Sequence, residues 1–99
     1  MSEDGLLLAR QWERTALDLF DRTLRFPKAV RATFTTRVDN LVLDVAEGLV
    51  TARYKTGKTR RLALEQVDER LARLRVLLRL CHARRYLDHR QYERRWHQY

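Results

Sequence analysis

The chain has one cysteine, one proline and three glycines in 99 residues. A lone cysteine, Cys81, leaves no internal disulfide and makes a cytoplasmic setting the default. So few glycines and prolines leave too few turns for a β sandwich. No run approaches the ~20 apolar residues that a bilayer-spanning helix needs, so no membrane partner is expected. The acidic residues Glu3 and Asp4 ahead of Leu6-Leu7-Leu8 are the reverse of a secretory leader, and none is expected. Catalytic sets are missing as well. No Ser-His-Asp group or isolated carboxylate pair can be assigned, so the chain is read as a non-enzyme without cofactor.

Two partial motifs are set aside on spacing. Gly57-Lys58-Thr59 resembles the tail of a phosphate-binding loop, but that loop needs a glycine at position 52, which is Ala, and a preceding strand. Cys81 with His82, His89 and His97 lacks the paired spacing of a zinc site, since adjacent Cys81 and His82 point to different sides of a helix. Cys81 is expected as a buried small hydrophobe, the histidines on the surface, and no metal.

What the chain has in surplus is arginine. Lys and Arg together number 21 against 13 acids, leaving a formal charge of +8, and 18 of the 21 are arginine. Arginine keeps its charge and holds phosphates bidentately. The surplus is uneven. Residues 1–24 carry three bases and five acids, residues 53–61 five bases and no acid, and residues 81–99 five bases and two acids. Helix-one arginines are expected to be offset by nearby acids, and Arg73 to pair with Glu69.

Hydrophobic periodicity gives four helices in a single domain over residues 1–99. The first runs from about Gly5 to Leu24, with Trp12, Ala16, Phe20 and Leu24 every four residues and Leu17 alongside. Asp18 with Arg22 and Asp21 with Arg25 support it at i,i+4. Pro27 breaks the pattern and can open the second helix, read as continuous from Pro27 to Lys55. Its stripe is Val30, Phe34, Val38, Leu41, Val45, Leu49 and Ala52, widened by Val42, Leu43, Ala46 and Val50. Asn40 is expected as a buried polar contact fixing register, and Asp39, Asp44 and Glu47 as partners of basic neighbours. Gly57 can take a left-handed helix stop. The third helix, about Arg60 to Arg85, keeps a heptad seam of Leu64, Val67, Leu71, Leu74, Leu78 and Cys81, with Val76, Leu77 and Leu80 on other sides. A fourth begins near Asp88, with Asp88 and Gln91 at capping-box spacing and Leu87 and Tyr92 at staple positions. Tyr92, Trp96 and Tyr99 share a face of that helix, which spans only ~16 Å.

Short connections make consecutive helices antiparallel. The expected fold is all-α: an up-down-up-down four-helix bundle with a short fourth helix. The broad apolar faces of the second and third helices predict a homo-oligomer rather than a monomer with an exposed patch. In that topology Arg25, Lys28 and Arg31 meet Arg84, Arg85 and Arg90 at one end. Arg53, Lys55, Lys58, Arg60 and Arg61 lie at the other. Arg94 and Arg95 on the fourth helix complete the candidate nucleic-acid-binding set. Lys28 and Arg31, Arg60 and Arg61, and His89 and Arg90 stand at helix starts, where a helix dipole favours anions and phosphate can sit. Phe26, Tyr54, Tyr86, Trp96 and Tyr99 flank these bases, either to stack on unpaired bases or to cap the bundle.

The residues of the second and third helices also carry a family resemblance. Phe26-Pro27-Lys28, Arg31, Thr33-Phe34, Arg37, Asn40-Leu41, Leu43-Asp44-Val45 and Ala52-Arg53-Tyr54 form its first part. Leu71, Leu74-Arg75, Leu77-Leu78-Arg79-Leu80, Arg85, Leu87, Arg90 and Tyr92 follow. This order and spacing resembles the accessory variability determinant (Avd) proteins of diversity-generating retroelements, over about two-thirds of the chain. Ala46-Glu47-Gly48 is also similar to the four-helix proteins encoded in 23S rRNA intervening sequences. The resemblance implies a homopentameric barrel that binds the element's reverse transcriptase and its template RNA, with DNA as a further candidate partner, to support mutagenic cDNA synthesis and retrohoming. The alternative is a structural homo-oligomer of the intervening-sequence type with no nucleic-acid ligand.

Overall fold

The computed structural model describes residues 3–86, with side chains from Gly5 onward. The expected fourth helix lies outside them, with its capping and staple residues Leu87, Asp88, Gln91 and Tyr92. So do His89, His97, Trp96, Tyr99 and the arginines Arg90, Arg94 and Arg95. Among the described residues the chain is all-helical, with three α-helices: α1 (Glu3–Thr23), α2 (Thr36–Tyr54) and α3 (Gly57–Ala83).

α2 is the central helix, packed on one side by α1 and on the other by α3. Its Val38, Val42, Val45, Leu49 and Ala52 are all buried. α3 answers with Ala63, Val67, Leu74, Leu78 and Cys81. The expected seam holds except at Leu64, which is exposed while the neighbouring Ala63 turns inward. α1 contributes Ala9, Trp12, Ala16 and Leu19. The every-four stripe proposed for it fails at its end, because Leu24 is 80% exposed. Four residues overshoot a turn by about 40°, so three such steps rotate the stripe by about 120°. The buried face follows 9, 12, 16, 19 and 23, which alternates threes and fours and stays in line.

Two polar contacts set the register of α1 on α2. The buried Trp12 indole N–H donates to the Val42 carbonyl at 3.0 Å. The buried Thr23 hydroxyl donates to Asp39 Oδ1 at 2.8 Å. This corrects the part given to Asn40, which is exposed; Asp39, about 100° around the helix, takes it. Asp39, Asp44 and Glu47 make no ion pair among the described residues, since no base lies three or four positions from any of them on α2. Arg22–Asp18 and Arg73–Glu69 do form, at 2.9 and 2.6 Å. Asp21 and Arg25 form none among the described residues, because α1 ends at Thr23 and the helical spacing is lost.

The expected continuous second helix is wound three ways. A 3-10 turn covers Lys28–Val30, a π-helical stretch Arg31–Thr35, and only then does α2 begin. Threonine hydroxyls donate to backbone carbonyls along this stretch: Thr33 to Val30 at 3.2 Å and Thr36 to Arg31 at 2.8 Å. Such side-chain bonds compete with the regular ladder and favour irregular winding. Gly57 is left-handed as expected, at φ 57°, but it opens α3. α2 stops instead on extended Lys55.

α3 ends in a Schellman motif. The Tyr86 N–H donates to the Cys81 carbonyl at 2.8 Å and the Arg85 N–H to the His82 carbonyl at 3.0 Å. The left-handed position, usually glycine, is Arg85 at φ 64°. Cys81 is fully buried beneath this turn. Among the described residues no helix is long and apolar enough to cross a membrane.

Candidate nucleic-acid interface

Three rings fasten one end of the molecule. Tyr86, just past α3, lies 5.9 Å from Phe26 and 5.6 Å from Phe34, centroid to centroid. Phe26 belongs to the α1–α2 connection and Phe34 to the π-helical stretch, so the cluster ties the first connection to the end of α3. Burial of Phe26 makes it a cap rather than a stacking platform. Around this cluster stand Arg25, Lys28, Arg31, Arg84 and Arg85, all exposed. The topology therefore brings these five together.

The other end is built by the α2–α3 connection. Lys55, Lys58, Arg60 and Arg61 are exposed and Arg53 is half-buried. The two ends are separated by the length of α2, about 29 Å at 1.5 Å per residue. α3 starts with no acid in its first turn and no side-chain cap from Thr56. Lys58 and Arg60 occupy that turn, so cations stand where the helix dipole is already positive. Lys28 and Arg31 differ from expectation: they sit in the 3-10 and π segments, ahead of the start of α2. His89 and Arg90 lie outside the described residues.

Among the described residues none of these ten side chains is in an ion pair; of the two pairs that form, Arg22–Asp18 lies in the last turn of α1 and Arg73–Glu69 midway along α3. Tyr54 is 70% exposed, and the Arg53 guanidinium sits 5.9 Å from its ring centroid. It is the aromatic beside the second pole that is free to take a stacked base.

A feature that the sequence does not signal lies on the flank of α1 and α2. Arg10, Arg14 and Arg53 line a cleft of about 480 Å³ with Glu13, Leu17 and Val50. Among the described residues Arg10 and Arg14 make no ion pair, so the expected offset of helix-one arginines holds at Arg22 and not there. The Nε atoms of Arg53 and Arg75 are buried without a hydrogen-bond partner. The i,i+4 spacing of Arg10 and Arg14 is legible in the chain; that antiparallel packing brings Arg53 across to them is not.

A second cleft, of about 520 Å³, runs along α2 and α3 and is lined by Arg37, Asn40, Asp44 and Arg73 over Leu41 and Leu77. Among the described residues no three His, Cys, Asp or Glu side chains gather to hold a metal. Comparison with models of known protein families, with curated proteins and with solved structures finds no match.

Proposed function

We propose that this chain is a non-catalytic accessory protein of a diversity-generating retroelement. It grips template RNA and holds it for the element's reverse transcriptase during mutagenic cDNA synthesis and retrohoming. The observation that carries the RNA part is the gathering of ten basic side chains at two poles of one helical framework, none of the ten in an ion pair among the described residues. Cations placed so give up little when a phosphate arrives, because no internal partner has to be released. The reverse transcriptase and the homopentameric assembly rest on the sequence resemblance.

Binding of single-stranded RNA measured against salt tests the reading. The logarithm of the affinity is expected to fall linearly with the logarithm of salt concentration, by about 0.7 per phosphate held. A flat line removes the proposal.

A second reading has its own support. Leu7, Leu17, Leu24, Val76 and Leu80 are all exposed, with Leu17 at 67% and Leu24 at 80%. Side chains of this kind along α1 and α3 would be covered by an association face. A purely structural homo-oligomer without nucleic acid would keep that face and show no RNA binding. Sedimentation run beside a gel shift separates the two.

A further inference from the structure

We infer that the cleft between α1 and α2 is a phosphate subsite, in which Arg10, Arg14 and Arg53 hold one phosphodiester of a single-stranded RNA whose neighbouring base stacks on Tyr54. The inference rests on the reading of the chain as an RNA-binding protein and adds a place that the polar charge distribution did not contain.

Three guanidinium groups face this cleft against one carboxylate, Glu13. Arg10 and Arg14 stand four positions apart on α1, one turn from each other on the same side. Arg53 comes across from the end of α2. Like charges brought together without a counter-ion repel, and among the described residues no ion pair relieves them.

The second observation is the Arg53 Nε, which is buried and has no acceptor. A buried donor without a partner is disfavoured, and an anion that binds beside it relieves that cost. A phosphate oxygen in the cleft supplies the acceptor once the Arg53 side chain turns its Nε outward, and the planar guanidinium suits it in a way an ammonium does not.

The third is position. Arg53 belongs to the cleft and to the second pole at once, and Tyr54 beside it is exposed. A strand leaving Lys58 and Arg60 therefore meets Tyr54 and then the cleft. This continuity with a run of cations favours RNA over an acidic helix of a partner protein. Leu17 and Val50 form the apolar walls, against which a ribose can lie.

The test uses the full chain and a short single-stranded RNA of mixed sequence. The R10Q/R14Q double variant is expected to bind more weakly, with the salt slope reduced by about 0.7, the share of one phosphate. Glu13→Gln should tighten binding. Tyr54→Ala should weaken it with the slope unchanged, since stacking releases no counter-ions. A wild-type affinity and slope in R10Q/R14Q overturns the subsite while the polar grip stands.

The Nε–Hε resonance of Arg53, followed by NMR in the wild-type protein, needs no variant to fold. It should shift on adding the RNA and, more weakly, on adding inorganic phosphate. If the wild type binds no RNA, the proposed function falls. The cleft is then judged by phosphate alone: a shifting Arg53 resonance supports an oxyanion site, and a still one overturns it.

Discussion

At Gly48 the side chains of α3 press close on the backbone of α2, and adding a single methyl there measures it. A Cβ at position 48 would lie 2.6 Å from Val67 Cγ2 and 3.6 Å from Arg70 Nη1. Carbon atoms in contact prefer about 3.5–4.0 Å, so the valine methyl would have to withdraw by about 1 Å. Val67 is buried, and a β-branched side chain in a helix has essentially one rotamer. The helices must part instead. Overpacking of this kind costs about 1–3 kcal/mol, while alanine gains about 1 kcal/mol over glycine in helix propensity. Gly48→Ala is therefore expected to destabilise by about 1 kcal/mol. Val67→Ala alone leaves a void and costs about 1–3 kcal/mol. In the double variant the new methyl enters the space that valine vacated. G48A should then stabilise the V67A background, giving a coupling of about 1–2 kcal/mol. Urea denaturation followed by circular dichroism supplies the four stabilities of the cycle. If Gly48→Ala raises stability by the same amount in both backgrounds, propensity alone is acting, and the close approach of the helices is refuted.

Arg85→Gly should raise the melting temperature. Arg85 holds φ 64° in the Schellman turn, which costs a residue with a Cβ about 1 kcal/mol more than glycine. A lower melting temperature would mean that the arginine side chain holds the turn. Burial pushes the Cys81 thiol from 9.0 up to about 11, against a smaller opposing pull from a backbone hydrogen bond. Between pH 9 and 11 the folded state then keeps a proton that the unfolded state has lost. The resulting stability is full below about pH 9 and declines as pH rises towards 11. Cys81 should also resist thiol reagents at pH 8 until denaturant is added; rapid labelling of the native protein would contradict its burial. Charge reversal in R60E/R61E should weaken RNA binding without lowering stability, since both side chains are exposed and acids at the start of α3 suit its dipole. Unchanged affinity would remove the second pole from the interface.

Much of this architecture is legible in the chain. The periodicities around Trp12, Val45 and Leu74 give three helices and most of their buried faces. Pro27 and Gly57 mark the two connections within a few residues. Antiparallel succession then places Arg25 near Arg84 and gathers residues 53–61. What escapes has definite causes. Winding around Arg31–Thr35 depends on which carbonyls the threonine hydroxyls reach, and periodicity is blind to that. Asp39 and Asn40 are neighbours, so one step of rotation decides which is buried, and only packing against Thr23 fixes that step. The cleft at Arg10, Arg14 and Arg53 joins residues some forty positions apart, and no local pattern signals such a meeting. Leu24 fits an apolar stripe by spacing but lies on the outside, because a strict four-residue repeat drifts around a helix.

The π-helical stretch ahead of α2 has a consequence for how such a molecule can change. A π turn takes in one residue more than an α turn, so it offsets everything before it by about 100° relative to everything after. Loss of one residue within Arg31–Thr35 would let the stretch rewind as ordinary α-helix. Lys28 and Pro27 would swing around the axis of α2, while Val38, Val42, Val45 and Leu49 kept their seats in the core. The segment works as an indexing wheel between a fixed body and a charged tip. A single-codon deletion there re-aims Lys28 by one click against Arg84 and Arg85, and obliges Phe26 and Phe34 to find new seats beside Tyr86.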